Sequence, residues 1–190
     1  MEKNQNTNEI TIEMLKQQLT DSGIDFSSWG TGKTKTMEHL LKEIEEGETE
    51  LVSENGTLVR KVTFGASRVY YTAPDGKKYQ LIEDKQVFKD GRERRRKMND
   101  AVLEKMKRGE DTTRAMERGM QEELGLSGNI ELNKIDARER RDISDSYPGL
   151  TTLYSEHHFE ATLSDEQHKP EGYIEKQEDK STFFIWREVE

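Results

Sequence analysis

The stretch Gly109-Glu110-Asp111-Thr112-Thr113-Arg114-Ala115-Met116-Glu117-Arg118-Gly119-Met120-Gln121-Glu122-Glu123-Leu124-Gly125-Leu126 decides the fold of this chain. Its spacing predicts a helix from about residue 112 to residue 124. Asp111 or Thr112 is placed to cap the first free amide groups, and Gly125 can take the left-handed backbone that ends a helix. Glu122 and Glu123 stand side by side on that helix. Position 119 lies three and four residues before them, on the same face. There the chain carries Gly119, which costs a helix interior about 1 kcal/mol relative to alanine. Adjacent glutamates on a helix are commonly a solvated face, so an isolated Glu-Glu-Leu-Gly means little. The register of the residues around it is what carries information.

That register resembles the Nudix box: a Gly, five residues, a Glu, seven residues, then Arg-Glu-U-x-Glu-Glu-x-Gly-U, where U is aliphatic. Glu110 and Arg118 keep the seven-residue gap, and Met120, Glu122, Glu123, Gly125 and Leu126 fall in place. Two positions depart. The opening Gly is Glu104, and the Glu after the Arg is Gly119. The resemblance implies a pyrophosphohydrolase that uses Mg²⁺ or Mn²⁺ to cleave a nucleoside diphosphate linked to another moiety. It implies that Glu122 and Glu123 bind the metal, that Arg118 and Glu110 orient the loop and helix, and that water is the nucleophile. The chemistry is coherent: carboxylates crowded on one face repel unless a hard cation joins them, and Mg²⁺ takes oxygen ligands, keeps waters and activates them. Glu104 is the candidate third metal ligand in place of the carboxylate missing at Gly119. Glu117 points away from Glu122 and Glu123, whereas Glu171, Glu175 and Glu178, in a late loop, are further candidates. The alternative reading is a catalytically inactive Nudix-fold module that senses a nucleotide or supports a partner protein.

Before the helix, residues 58–64 and 68–72 read as two strands. Ala73-Pro74-Asp75-Gly76 reads as a turn, because Pro presets φ and Gly supplies positive φ. Residues 79–88 form the return strand. After the helix comes a long polar stretch. Residues 153–163 then alternate as a half-buried strand, 166–180 form an acidic loop, and 182–187 a last, aromatic strand. The hairpin with its arginine-rich exit, Ser146-Tyr147-Pro148-Gly149-Leu150, and Phe183-Phe184-Ile185-Trp186 extend the resemblance over residues 55–190. The first nine residues are polar and read as disordered. Helices are expected over residues 12–19 and 35–46, the second with Met37, Leu40, Leu41 and Ile44 on one stripe. The expected fold is therefore α/β: a Nudix-like α/β/α sandwich with a mixed sheet over residues 51–190, preceded by a helical N-terminal extension over residues 1–50.

Composition narrows the partners. Hydrophobic residues make up 31 % and charged residues 36 %, so the core is expected to be modest. A formal net charge of −9 disfavours stable nucleic-acid binding. The absence of cysteine excludes disulfides and thiolate metal sites. No apolar run reaches the length of a membrane span, and the Met1 end has no apolar signal core. The expectation is a cytoplasmic protein with a small-molecule, nucleotide-type substrate and no membrane partner; a homodimer is among the expected forms, and assembly through the N-terminal helices is a third functional reading.

The one basic run is Arg92, Arg94, Arg95, Arg96 and Lys97. It is either a solvated, charge-balancing face or a place where Arg92 and Arg94 grip substrate phosphates through their bidentate donors. Gly30-Thr31-Gly32-Lys33-Thr34 imitates a phosphate loop, but Ser27 stands where that motif needs its first glycine. His157 and His158 are neighbours on a strand, face opposite sides and cannot readily share a metal. Tyr70, Tyr71, Phe88 and Trp186 could stack on a base, with core packing the simpler role.

Overall fold

A computed structural model describes residues 10–96 and 100–190. The disorder expected for residues 1–9, and Lys97 of the basic run, lie outside the described residues. The architecture is α/β with a mixed sheet, as expected. Its elements are α1 (Ile12–Asp21), α2 (Met37–Glu45), β1 (Glu50–Glu54), β2 (Thr57–Thr72), β3 (Lys78–Phe88), β4 (Glu93–Arg94), β5 (Val102–Lys105), α3 (Thr112–Leu124), β6 (Glu131–Ile143), β7 (Thr151–Leu163), β8 (Tyr173–Lys176) and β9 (Lys180–Val189). Among the described residues no helix is long and apolar enough to cross a membrane.

The chain divides into two compact units. One comprises Val62 and the described residues before it, together with Glu139–Tyr154; the other comprises Thr63–Arg138 and Ser155–Glu190.

The second unit holds the decisive helix. The sheet order is β6-β7-β2-β3-β9-β8, with β5 paired to β2 and β4 to β3. β2 and β3 pair antiparallel through Val69↔Leu81 across the expected turn, where Gly76 has φ 86° and its amide donates to the Ala73 carbonyl at 2.8 Å. β3 and β9 pair antiparallel, with a register shift between Glu83 and Lys85. α3 has the expected limits. Asp111 caps it by accepting from the amides of Thr113 and Arg114, both at 3.1 Å, and Gly125 closes it with φ 65°. Ala115, Met116, Met120 and Leu124 form its buried stripe and pack among Val69, Leu81, Val102, Phe159 and Phe184. Each fully buried methionine contributes about 1.5–3 kcal/mol relative to exposure.

Three expectations gave way here. The strands expected at 58–64 and 68–72 are one strand, β2, because Gly65 does not break it. A Cβ at Gly65 would lie 2.0 Å from Met116 Sδ, so the glycine is there to admit the helix, not to turn the chain. The polar stretch after α3 contains β6, whose residues are exposed along nearly its whole length and therefore show no alternation to read. The acidic loop contains β8, which pairs with β9 through Tyr173↔Phe184.

The first unit is built from both early helices. α1 supplies Leu15 and Leu19, α2 supplies Met37 and Leu40, and these pack with Leu58, Tyr147 and Leu150. Thr36 caps α2, with His39 completing a capping box. Segment 139–154 is tied in by two long-range bonds: Trp29 Nε1 donates to the Pro148 carbonyl at 3.0 Å and the Lys35 amide to the Ser146 carbonyl at 2.9 Å. Glu43 is buried and bonded to Arg60 at 2.8 Å and Lys35 at 2.5 Å. In the loop that imitates a phosphate cradle, the Thr31 and Thr34 hydroxyls both donate to the Ser28 carbonyl, and the Thr31 amide donates to Thr34 Oγ1 at 3.0 Å. Its groups are turned on itself.

Candidate active site

Arg118 is the hub from which the site is built. Its Nε and Nη2 donate to the two oxygens of Glu110 at 3.1 and 3.0 Å, and Nη2 also donates to the Lys105 carbonyl at 3.1 Å. Nη1 donates to Glu104 Oε1 at 2.6 Å and lies 3.7 Å from Glu122 Oε2. Glu110 in turn accepts from the Lys107 amide at 2.9 Å. One planar guanidinium thus ties the end of β5, the loop after it and α3 together, a task its fixed fork of donors suits. The Arg118 hydrogen bond is the main reason the Glu110 carboxyl is held below its ordinary range.

Glu104 from β5 and Glu122 and Glu123 from α3 line one cavity of about 350 Å³, joined by Glu83 and Gln86 from β3 and by Glu175 from β8. Arg96, Gln177, Lys180 and Thr182 complete its polar wall. Glu123 is half-buried, and its carboxyl is pushed up to about 8. Loss of water is the largest cause, followed by the negative charge of Glu175, Glu104 and Glu122; a hydrogen bond with the Leu103 backbone opposes these.

This donor set tests the divalent cation that the motif implies. Every acidic group in the cavity offers hard oxygen, and Glu123 is surrounded by like charge that a cation would relieve. The chemistry fits Mg²⁺ or Mn²⁺. Among the described residues, though, no three acidic or histidine side chains are gathered closely enough to form a ready-made cage.

Neither of the expected phosphate-binding arginines, Arg92 and Arg94, is among the residues lining this cavity. Arg92 bonds to Asp90 at 2.7 Å and lines an open groove with Phe88, Glu178 and Asp179. Arg94 places its Nε and Nη2 on Gln86 Oε1 at 3.0 and 2.6 Å. The arginine on the cavity wall is Arg96, which forks onto buried Glu83, Nε to Oε1 at 2.9 Å with Nη2 on the other oxygen. Sequence reasoning missed Glu83 and Gln86. Their signal was two polar residues on a strand that turn out 6 % and 2 % exposed, a placement that needs partners. Of the late-loop glutamates only Glu175 lines the acidic cavity. The candidate stacking residues have partners of their own: Tyr71 is stacked on His168 with centroids 3.7 Å apart, Trp186 donates to the Lys169 carbonyl, Arg92 lies over Phe88, and Lys78 over Tyr70.

No family model and no curated protein matches the chain. Among solved structures it is similar to a Listeria monocytogenes protein assigned as a NUDIX hydrolase, with TM-score 0.40 and 13 % identity over 67 % of this chain and 77 % of that one. It is also similar to an Ap4A hydrolase of C. elegans, solved as a binary complex, with TM-score 0.36 and 12 % identity over 67 % of this chain and 79 % of that one. Both are distant likenesses of fold.

Proposed function

We propose that the chain is a Nudix-type pyrophosphohydrolase acting on a nucleoside diphosphate linked to another moiety, with Glu104, Glu122 and Glu123 holding a divalent cation. One observation carries the reading: carboxylates from β5, α3, β3 and β8 face a single cavity beside the Arg118–Glu110 brace. A cation bound there would neutralise those charges, polarise a phosphoryl oxygen and lower the pKa of an attacking water. Arg118 fixes the loop-to-helix geometry, and Arg96 supplies positive charge on the cavity wall where a substrate phosphate would enter. The substrate proposed is a small nucleotide-type molecule, handled in the cytoplasm.

The test is a panel of nucleoside diphosphate sugars, ADP-ribose, dinucleotides and nucleoside triphosphates, assayed with Mg²⁺ and with Mn²⁺. Hydrolysis is expected for at least one class and is expected to vanish in Glu123→Gln. Turnover that survives that substitution defeats the metal assignment.

A second reading draws on a specific observation. Arg118 Nη1 already reaches both Glu104 and Glu122, and no ready cage is present among the described residues. A catalytically inactive module that senses a nucleotide fits that arrangement. It is distinguished by nucleotide binding that needs no divalent ion and yields no product.

A further inference from the structure

The two departures from the motif, Glu104 and Gly119, touch each other. A Cβ built on Gly119 would lie 2.8 Å from Glu104 Cβ, 3.2 Å from Glu104 Cγ and 3.1 Å from Val102 Cγ1. The first contact is closer than real Cβ atoms come, and both atoms sit one bond from backbone, so no side-chain rotation relieves it.

Neither backbone is free to yield. β5 is pinned to β2 by the pairing Gly65↔Glu104 and by the Met106 amide donating to the Thr63 carbonyl at 2.9 Å. α3 is pinned by Met116, fully buried over Gly65. At this crossing of strand and helix there is room for one side chain. With glycine on the helix, the strand supplies it. The Glu104 carboxyl then reaches Arg118, the residue next to Gly119, at 2.6 Å, and shares a cavity with Glu122 and Glu123.

We infer that Glu104 and Gly119 are an exchanged pair: the carboxylate lost from the helix has been moved to the facing strand, and the glycine lost from the strand has been moved to the helix. The exchange keeps one carboxylate at this point of the cavity while reversing the element that delivers it. The part of the inference that assigns Glu104 to a cation rests on the proposed function, and reading the pair as an exchange rests on the resemblance to the Nudix box; the steric coupling of the two positions rests on neither.

The experiment is a cycle on the full chain with two readouts, unfolding midpoint without metal and Mn²⁺ binding by calorimetry. Gly119→Glu alone is expected to lower the midpoint. Combined with Glu104→Gly it is expected to recover most of the loss. Combined with Glu104→Ala it is not, because alanine keeps the Cβ that clashes. In the Mn²⁺ arm, Glu104→Gln is expected to weaken binding at least about tenfold, and the reversed pair Glu104→Gly with Gly119→Glu to bind within a few fold of the natural chain. If Gly119→Glu costs the same whether position 104 is Glu or Gly, the exchange is overturned. If the natural chain binds Mn²⁺ and Glu104→Gln binds it equally well, the carboxylate role is overturned while the proposed function stands. If the natural chain binds no Mn²⁺, the proposed function and that carboxylate role fall together, and the midpoint arm still decides the exchange.

Discussion

Glu43 in the first unit and Glu123 in the second are both drawn out of water, and they keep opposite company. Glu43 lies between Arg60 at 2.8 Å and Lys35 at 2.5 Å, so its charge is answered within the chain. Glu123 faces Glu175, Glu104 and Glu122, and its carboxyl is pushed up to about 8. One residue type thus serves two ends. A buried carboxylate with cations of its own has its charge satisfied within the chain, whereas one hemmed in by like charge costs stability until a proton or a cation neutralises it.

The contrast predicts opposite signs for similar substitutions. Arg60→Leu removes a buried cation from Glu43 and is expected to destabilise the protein by about 3–5 kcal/mol, the usual cost of stranding one partner of a buried pair. Denaturant unfolding measures it, and a loss below about 1 kcal/mol would mean the pair does not hold this unit. Glu123→Gln is expected to do the reverse in metal-free protein near neutral pH: the midpoint rises, because folding no longer has to hold a proton on this carboxyl, while divalent-ion binding and hydrolysis are lost. A fall in the metal-free midpoint would break the comparison.

Arg118→Lys comes next in size. Lysine keeps the charge and loses the fork that spans Glu110, Glu104 and the Lys105 carbonyl. The expected cost is about 2 kcal/mol, with Glu110 released toward its ordinary titration range. Unfolding and carboxyl titration by NMR read both effects.

The pH dependence of the metal-free protein sharpens the same contrast. Glu123 binds its proton more tightly folded than unfolded, since its carboxyl is raised from 4.5 to about 8. Below 4.5 both states are protonated there. Between 4.5 and about 8 the folded state holds the proton and the unfolded state does not, so this group's contribution falls as pH rises through that window and levels off above it. Added Mg²⁺ is expected to flatten the slope, because the cation replaces the proton. Unfolding midpoints at several pH values, with and without Mg²⁺, check it, and Glu123→Gln is expected to lack the slope.

What the sequence made legible was local. α3, with Asp111 and Gly125 at its ends, could be read because caps and helical periodicity act within a few residues. The Arg118–Glu110 brace followed from a spacing of eight along the same stretch. What stayed hidden was long-range. Nothing local ties segment 139–154 to helices more than a hundred residues earlier; the Trp29–Pro148 bond does so only in the fold. Nor does spacing reveal that Gly65 is a seat for Met116, or that Glu104 occupies the space over Gly119. The arginine run shows the same limit. Which of its members face the acidic cavity depends on how the run lies against β3, with Arg94 paired to Gln86 and Arg96 reaching Glu83, contacts that the run itself does not encode.

That last point yields the smallest predicted effect. Arg92 has a side chain 75 % exposed, bonds to its near neighbour Asp90, and lines the open groove rather than the cavity of Glu104, Glu122 and Glu123. Arg92→Ala is expected to change stability by less than about 0.5 kcal/mol, as exposed pairs usually do, and to leave KM for any substrate found unchanged. Arg96→Ala is the sharper partner experiment. It removes the cavity's arginine and strands buried Glu83, so it is expected to raise KM and lower the unfolding midpoint together. Arg96→Ala with Glu83→Gln separates the two roles. The second change relieves the stranded charge, so the midpoint is expected to recover while KM stays high. A KM that returns to normal with the midpoint would show Arg96 to be a fold-holding cation like Arg60. A KM raised by Arg92→Ala instead would move the phosphate grip to the groove beside Phe88.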